Sequence, residues 1–392
     1  MDFDDVDLFA QTVVGDVRDP YPGYAEMRHS SPVAETDHFG FTTTSIYRYH
    51  DVVAVLKQPE LFSSDIYNRT IGLVMGPTIL GMDGTEHVLN RGLVASAFRR
   101  KALESWTTSL IEPTVHELID RFAPRGESEL VREFTIQFPI RIIARMLGIP
   151  SDDFGRFARL SIELISIARD IPRGLAASQS LHEYFAGILE ERREQPADDL
   201  ISSLVQADID GERLDDELIF GFLRLLLPAG AETTYRLLGN LVFALLSDDD
   251  QMTMVRSDRS LIPSAIEEAL RWESPVQIVS RIPTKDAVVG GVPIPEGKSM
   301  TLRLGSANRD ETVFEDPDRF DLRRQGAPHV AFAEGPHRCL GEHLARLEVT
   351  TALNAMLDRL PDLRLVPGDV DPHINGSAFR SPTSLPVEFA TA

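Results

Sequence analysis

Residues Asp215 to Ser247, reading DDELIFGFLRLLLPAGAETTYRLLGNLVFALLS, are apolar around almost the whole circumference of a helix. At 1.5 Å rise per residue such a helix is roughly 50 Å long, enough to cross a molecule of this size. A helix apolar on all sides is buried, so the rest of the chain has to wrap around it. Asp215 and Asp216 suit its N-terminus. Pro228 lacks an N–H, so the carbonyl of Arg224 loses its helical partner and a kink is expected. Ala229 and Gly230 are small and leave an open groove beside them. Glu232 and Thr233 follow, and an acid inside an apolar helix is costly without a partner. In the plainer reading, Thr233 and Thr234 bond back to carbonyls four residues earlier. In the sharper one, the groove holds a small polar molecule. These residues alone leave both open.

The second constraint is the stretch FAEGPHRCLGEHLAR, Phe332 to Arg346, which contains Cys339, the chain's only cysteine. Leu344, Leu347, Val349, Leu353, Met356, Leu357 and Leu360 then recur at helical steps, so Cys339 stands where a loop becomes a helix. Unpaired N–H groups and the helix dipole there favour a thiolate, which is a nucleophile or a metal ligand. Gly335-Pro336 shapes the approach, and Gly341 lets something large come near the backbone. A lone cysteine is otherwise a small buried hydrophobe.

The pattern Phe-x-x-Gly-x-His-x-Cys-Leu-Gly followed by Leu-Ala-Arg resembles the haem-binding loop of the cytochrome P-450 family. The resemblance implies haem b, iron protoporphyrin IX, bound by the Cys339 thiolate, with Phe332 and Gly341 against the haem. Thiolate ligation pushes electron density toward iron and favours O–O cleavage. One departure is Ala333, where the family usually has glycine. Ala-Gly-x-Glu-Thr-Thr is similar to the family's oxygen-binding segment, which makes Ala229 and Gly230 the groove and gives Glu232 and Thr233 proton-handling roles. Glu268 and Arg271, three apart, share a helix face. Pro317-Asp318-Arg319-Phe320 looks like the family segment whose arginine, here Arg319, completes a buried Glu268–Arg271–Arg319 cluster. His87 and Arg91, Arg281 and His337 match positions that hold the haem propionates. Asn308-Arg309-Asp310 matches a further family segment with a structural role.

Helical patterning dominates to about Ser274, and strand-like segments follow: Ala287 to Val289, the turn Gly290-Gly291, Val292 to Ile294 and Ser299 to Leu304. An earlier strand is expected at Phe41 to Ile46. The class is mainly α with a smaller β portion. With no linker or repeat, residues 1–392 read as one domain, and the resemblance implies the cytochrome P-450 fold, with haem between the long central helix and the cysteine-loop helix. Residues Ile66 to Gly84 form a long apolar loop of the kind that covers something, and Arg169 to Gly174 a second lid.

The formal net charge of −22 argues against nucleic acid and anionic membranes. One cysteine, no signal-peptide layout and no long uninterrupted apolar run point to a cytoplasmic protein without a membrane span. The chain has no dinucleotide fingerprint and no iron–sulfur cysteine set. The resemblance therefore implies electrons from a separate ferredoxin or flavodoxin with an NAD(P)H-dependent reductase. Arg99-Arg100-Lys101, Arg338 and Arg346 are either a docking patch for it or a solvated basic face. Pocket walls are expected from Met75 to Leu80, Arg169 to Gly174, Leu226 to Ala229, Val276 to Val279 and Ile374 to Phe379, with Gln277 and Asn375 as orienting groups. Such walls suit a hydrophobic small molecule. The expected activity is insertion of one oxygen atom of O2 into that substrate, by hydroxylation or epoxidation. A peroxide-driven peroxygenase and a non-catalytic haem carrier or sensor are the alternatives.

Overall fold

The computed structural model describes residues 17–38, 41–98, 100–165, 170–366 and 371–391. The apolar stretch that opened the sequence forms the central axis. It is helical throughout but in three pieces: a helix Asp216–Leu226, a π-helical segment Leu227–Glu232 and a helix Thr233–Leu246. The expected kink at Pro228 is thus taken up by a wider turn, which absorbs the missing N–H without ending the helix. Asp215 caps the start, its side chain accepting from Leu218 N at 2.8 Å.

Six helices that matter to the site are numbered in chain order: α1 Gly84–Ala95, α2 Ile171–Glu194, α3 Asp216–Leu226, α4 Thr233–Leu246, α5 Ile262–Trp272 and α6 Glu342–Arg359. One apolar core joins all six, running from Val74 through Leu223, Leu241 and Leu270 to Met356. The 171–174 stretch, expected as a lid loop, is instead the first turn of α2. Asp170 caps it by accepting from Arg173 N at 3.0 Å, and Pro172 suits the turn. Residues 166–169, including Arg169, lie outside the described residues.

A five-stranded sheet stands to one side: β1 Val33–His38, β2 Phe41–Ile46, β3 Phe62–Ser63, β4 Ile278–Pro283 and β5 Met300–Arg303, in the order β1-β2-β5-β4-β3. Only β2 and β5 run parallel. The alternation of Ile46, Met300 and Leu302 toward one face gives this sheet its own smaller core with Val52, Leu56 and Val330. The hairpin Ala287–Val289/Val292–Ile294 forms as the glycine pair predicts, both glycines having positive φ. The loop after β3 wraps toward α3 and holds only a short turn at Asp65–Tyr67 and one helical turn at Gly72–Met75.

Candidate active site

The stretch before α6 is a tight loop. Cys339 N donates to the Phe332 carbonyl at 2.9 Å and Arg338 N to that of Gly335 at 3.0 Å. Gly335 has φ +73°, and a Cβ there would lie 2.4 Å from the Leu56 carbonyl oxygen, so no side chain fits. Ala333 is also left-handed, at φ +57°. Beside Gly341 a Cβ would meet nothing within 4 Å. The Cys339 side chain is exposed, yet burial by surrounding protein pushes its pKa up, against the Gly341 N–H and the charges of Arg91 and Arg346. The thiol is thus accessible yet closely surrounded by protein. The helix-terminus effect expected to favour the thiolate is therefore outweighed.

On the central helix, Ala229 is exposed while Leu226, Leu227, Ala231 and Glu232 around it are buried. The π-helical segment thus presents one small residue to open space. Thr233 Oγ1 donates to the Ala229 carbonyl at 2.6 Å, the plainer of the two expected bonds. Gly230 is not part of an open groove, because a Cβ there would come within 3.0 Å of Ile143. Glu232 is 4% exposed and meets Arg236, a wholly buried residue of α4, at 2.9 Å. Arg236 also donates to Ser381 Oγ at 3.0 Å.

Two arginines and two histidines converge nearby. His87 on α1 lies against His337, ring centroids 4.0 Å apart, and His337 Nε2 lies 3.2 Å from Asp83 Oδ1. Burial pushes the His87 pKa down to about 4, and His337, Arg91 and Arg281 add to that, while Asp83 opposes it. Arg91 Nη2 donates to the Arg338 carbonyl at 2.5 Å, tying α1 to the cysteine loop. Arg281, on β4 and buried, donates to its neighbour's carbonyl at 2.7 Å.

Comparison with known proteins decides what this arrangement is. The family model for Cytochrome P450 matches residues 164–383. The chain is 36% identical over 360 residues to the putative cytochrome P450 YjiB of Bacillus subtilis (strain 168), covering 90% of each. It is 37% identical over 380 residues to the steroid C26-monooxygenase of Mycobacterium tuberculosis (strain ATCC 25618 / H37Rv), covering 95% of this chain and 94% of that one. The crystal structure of CYP109E1 from Bacillus megaterium in complex with testosterone superposes with a TM-score of 0.87 at 33% identity, over 95% and 99% of the two chains. The chain belongs to the cytochrome P450 family. It is a P450 monooxygenase that uses haem b, and the P450 fold expected from the motifs is the fold observed. The residues present fit that group, since an accessible thiol stands on a loop tied to Arg91, with His87, His337 and Arg281 close to one another.

The P450 framework corrects several sequence expectations. Glu268 grips Arg271 in a two-point contact, 2.8 Å on each arm, but the second arginine is Arg324, whose Nε lies 3.0 Å from Glu268 Oε1. Arg319 is exposed and contributes only its carbonyl, which accepts from Arg271 at 3.0 Å and Arg324 at 2.9 Å. The chain turns at Asp316 with φ +44°, burying Phe320 and leaving the Arg319 side chain outside. Gln277, expected to orient substrate, is wholly buried and donates to the Ser274 carbonyl at 2.8 Å. Asn375 Oδ1 instead accepts from Val17 N and Gly376 N, each at 2.7 Å. Arg338 and Arg346 are neutralised by Glu334, Glu342 and Glu267 at 2.6 to 3.0 Å. Arg99 lies outside the described residues, as do the side chains of Arg100 and Lys101. Sequence reasoning missed Arg324 and Arg236. The second had a visible signal, the four-residue step from Glu232.

Proposed function

We propose that this P450 inserts one atom of O2 into a lipophilic small molecule, with electrons from a separate ferredoxin or flavodoxin and its reductase. The observation that carries the reading is a solvent-open yet desolvated thiol at Cys339, on a loop tied through Arg91 to the helix bearing His87. Haem bound through Cys339 supplies dioxygen activation and one-electron chemistry. His87, Arg91, Arg281 and His337 hold its two propionates by charge-assisted hydrogen bonds. Asp83, 3.2 Å from His337 Nε2, fixes the orientation of that ring.

Thr233 manages protons on the distal side, its hydroxyl resting on the Ala229 carbonyl until a better partner arrives. Glu232 is held by Arg236 and relays protons by turning away from it toward water. The steroid named in one relative and the testosterone bound in one structural neighbour support a bulky apolar substrate. The test is a pair of variants. Thr233→Ala consumes reduced cofactor and releases hydrogen peroxide in place of product, whereas Cys339→Ser abolishes the long-wavelength Soret band of the reduced, carbon-monoxide-treated protein. Unchanged coupling in the first removes Thr233 from proton handling, and an unchanged band in the second removes Cys339 as the ligand.

A further inference from the structure

Nine residues before Thr233, α3 carries Arg224, only 7% exposed and without part in the chemistry above. Its Nε donates to the Phe220 carbonyl and its Nη1 to Ser178 Oγ, both at 3.2 Å. Nη2 has no acceptor among the described residues, and no carboxylate among them pairs with this cation. Burial pushes its pKa down, and the exposed Glu217 is the only acid whose charge opposes that.

Three elements close over the guanidinium. Ser178 on α2 donates onward to the Val74 carbonyl at 2.5 Å. Gly221 brings α3 against the loop so closely that a Cβ would lie 2.0 Å from the Pro77 carbonyl oxygen. At Gly76, where φ is +77°, a Cβ would lie 2.9 Å from Arg224 Nη2. The cation therefore sits beneath a roof made of α2 and the 74–78 loop. Pro228 lies one turn farther along the same face, and Leu225 and Ala229 lie on the adjoining one. All three are partly or fully exposed, while Leu223, Leu226 and Leu227 are buried, so this side of the central helix is the open one. Along the axis, Arg224 and Thr233 are roughly 13 Å apart.

A buried cation calls for a counter-charge, and a guanidinium with an unused edge matches carboxylate oxygens. A neutral carbonyl would fill the hydrogen bond and leave the charge uncompensated. We propose that Arg224 is a specificity-determining residue: Nη2 anchors the carboxylate of a lipophilic acid whose hydrocarbon runs along α3 toward Thr233, so that oxidation falls at a carbon remote from the acid. This rests on the monooxygenase reading and narrows its substrate class.

The ferric holoenzyme is titrated with a graded series of straight-chain and cyclic lipophilic acids, each beside its methyl ester. Binding is read by the spin shift of the haem band and by the rise in melting temperature of the same sample. At least one acid binds about tenfold or more tightly than its ester, the worth of one charge-assisted hydrogen bond. Arg224→Gln brings that acid down to the level of its ester and leaves the ester unmoved, while Arg224→Lys keeps part of the preference. A role confined to holding the roof together would weaken acid and ester alike in Arg224→Gln, which overturns the proposal. So does a wild-type series in which no acid outbinds its ester, a comparison that needs no variant to fold. A protein lacking the carbon-monoxide band of thiolate ligation overturns the monooxygenase reading first, and that failure is seen before any ligand is added.

Discussion

At position 333 one methyl group decides a local balance. Ala333 holds φ +57°, a conformation that costs an L residue roughly 1–2 kcal/mol and glycine almost nothing. Glycine loses about 0.4–1 kcal/mol through the greater freedom of its unfolded chain. The strain is the larger quantity, so Ala333→Gly is expected to stabilise the protein modestly, visible as a higher melting temperature and slower haem loss. A lower melting temperature would show that the Ala333 methyl, which packs into the smaller core, outweighs the strain. The buried Glu268 is a sharper case, because removing one partner of a buried ion pair costs about 3–5 kcal/mol. Glu268→Gln and Arg324→Ala should each lower stability by that order and reduce haem loading. Arg319→Ala, losing only an exposed side chain, should stay within about 0.5 kcal/mol. Denaturant unfolding of the three variants separates the two arginines. An Arg319 effect as large as that of Arg324 would reverse the assignment.

At the scale of elements, the clamp between α5 and α6 sets an acid limit. Glu267 is desolvated, which raises its pKa, but hydrogen bonds from His329 and Arg346 prevail and hold it down at about 2. A carboxylate with a depressed folded-state pKa contributes stability above its ordinary value of 4.5, and that contribution fades as pH falls toward 2. Glu267→Gln should therefore unfold more easily at neutral pH and show a flatter stability curve across that acid range, measured by urea unfolding at stepped pH. Much of this architecture was legible. Leucine spacing gave the central helix and α6, the glycine pair gave the hairpin, and Glu334, Arg338, Glu342 and Arg346 stand at four-residue steps in the sequence itself. What stayed hidden depends on contacts distant in sequence. Arg324 reaches Glu268 across 56 residues, and no local spacing distinguishes it from Arg319. Gln277 was assigned to a pocket wall by position, while its contact with Tyr21, 256 residues away, arises only when separate segments meet.

For the whole molecule, electron delivery turns on charge. The chain carries 39 basic and 61 acidic residues, and the arginines flanking the cysteine loop are engaged by three glutamates. An acidic carrier approaching that side meets the exposed Lys57 beside Gly335, but both loop arginines are already engaged, and the net field of the protein repels it. Repulsion reaches about 30 Å at 0.01 M salt and about 8 Å at physiological ionic strength. Reduction by an acidic ferredoxin should accordingly quicken as salt rises across that interval, read by stopped-flow formation of the carbon monoxide complex. Glu334→Gln and Glu342→Gln should each raise the low-salt rate by releasing Arg338 or Arg346 from its partner. A rate that falls steadily with salt would mean that an attractive patch governs docking, and Arg99, Arg100 and Lys101 would then be the cations to replace first. The two slopes have opposite sign, so one salt series distinguishes a protein that draws its carrier in from one that tolerates it only when screened.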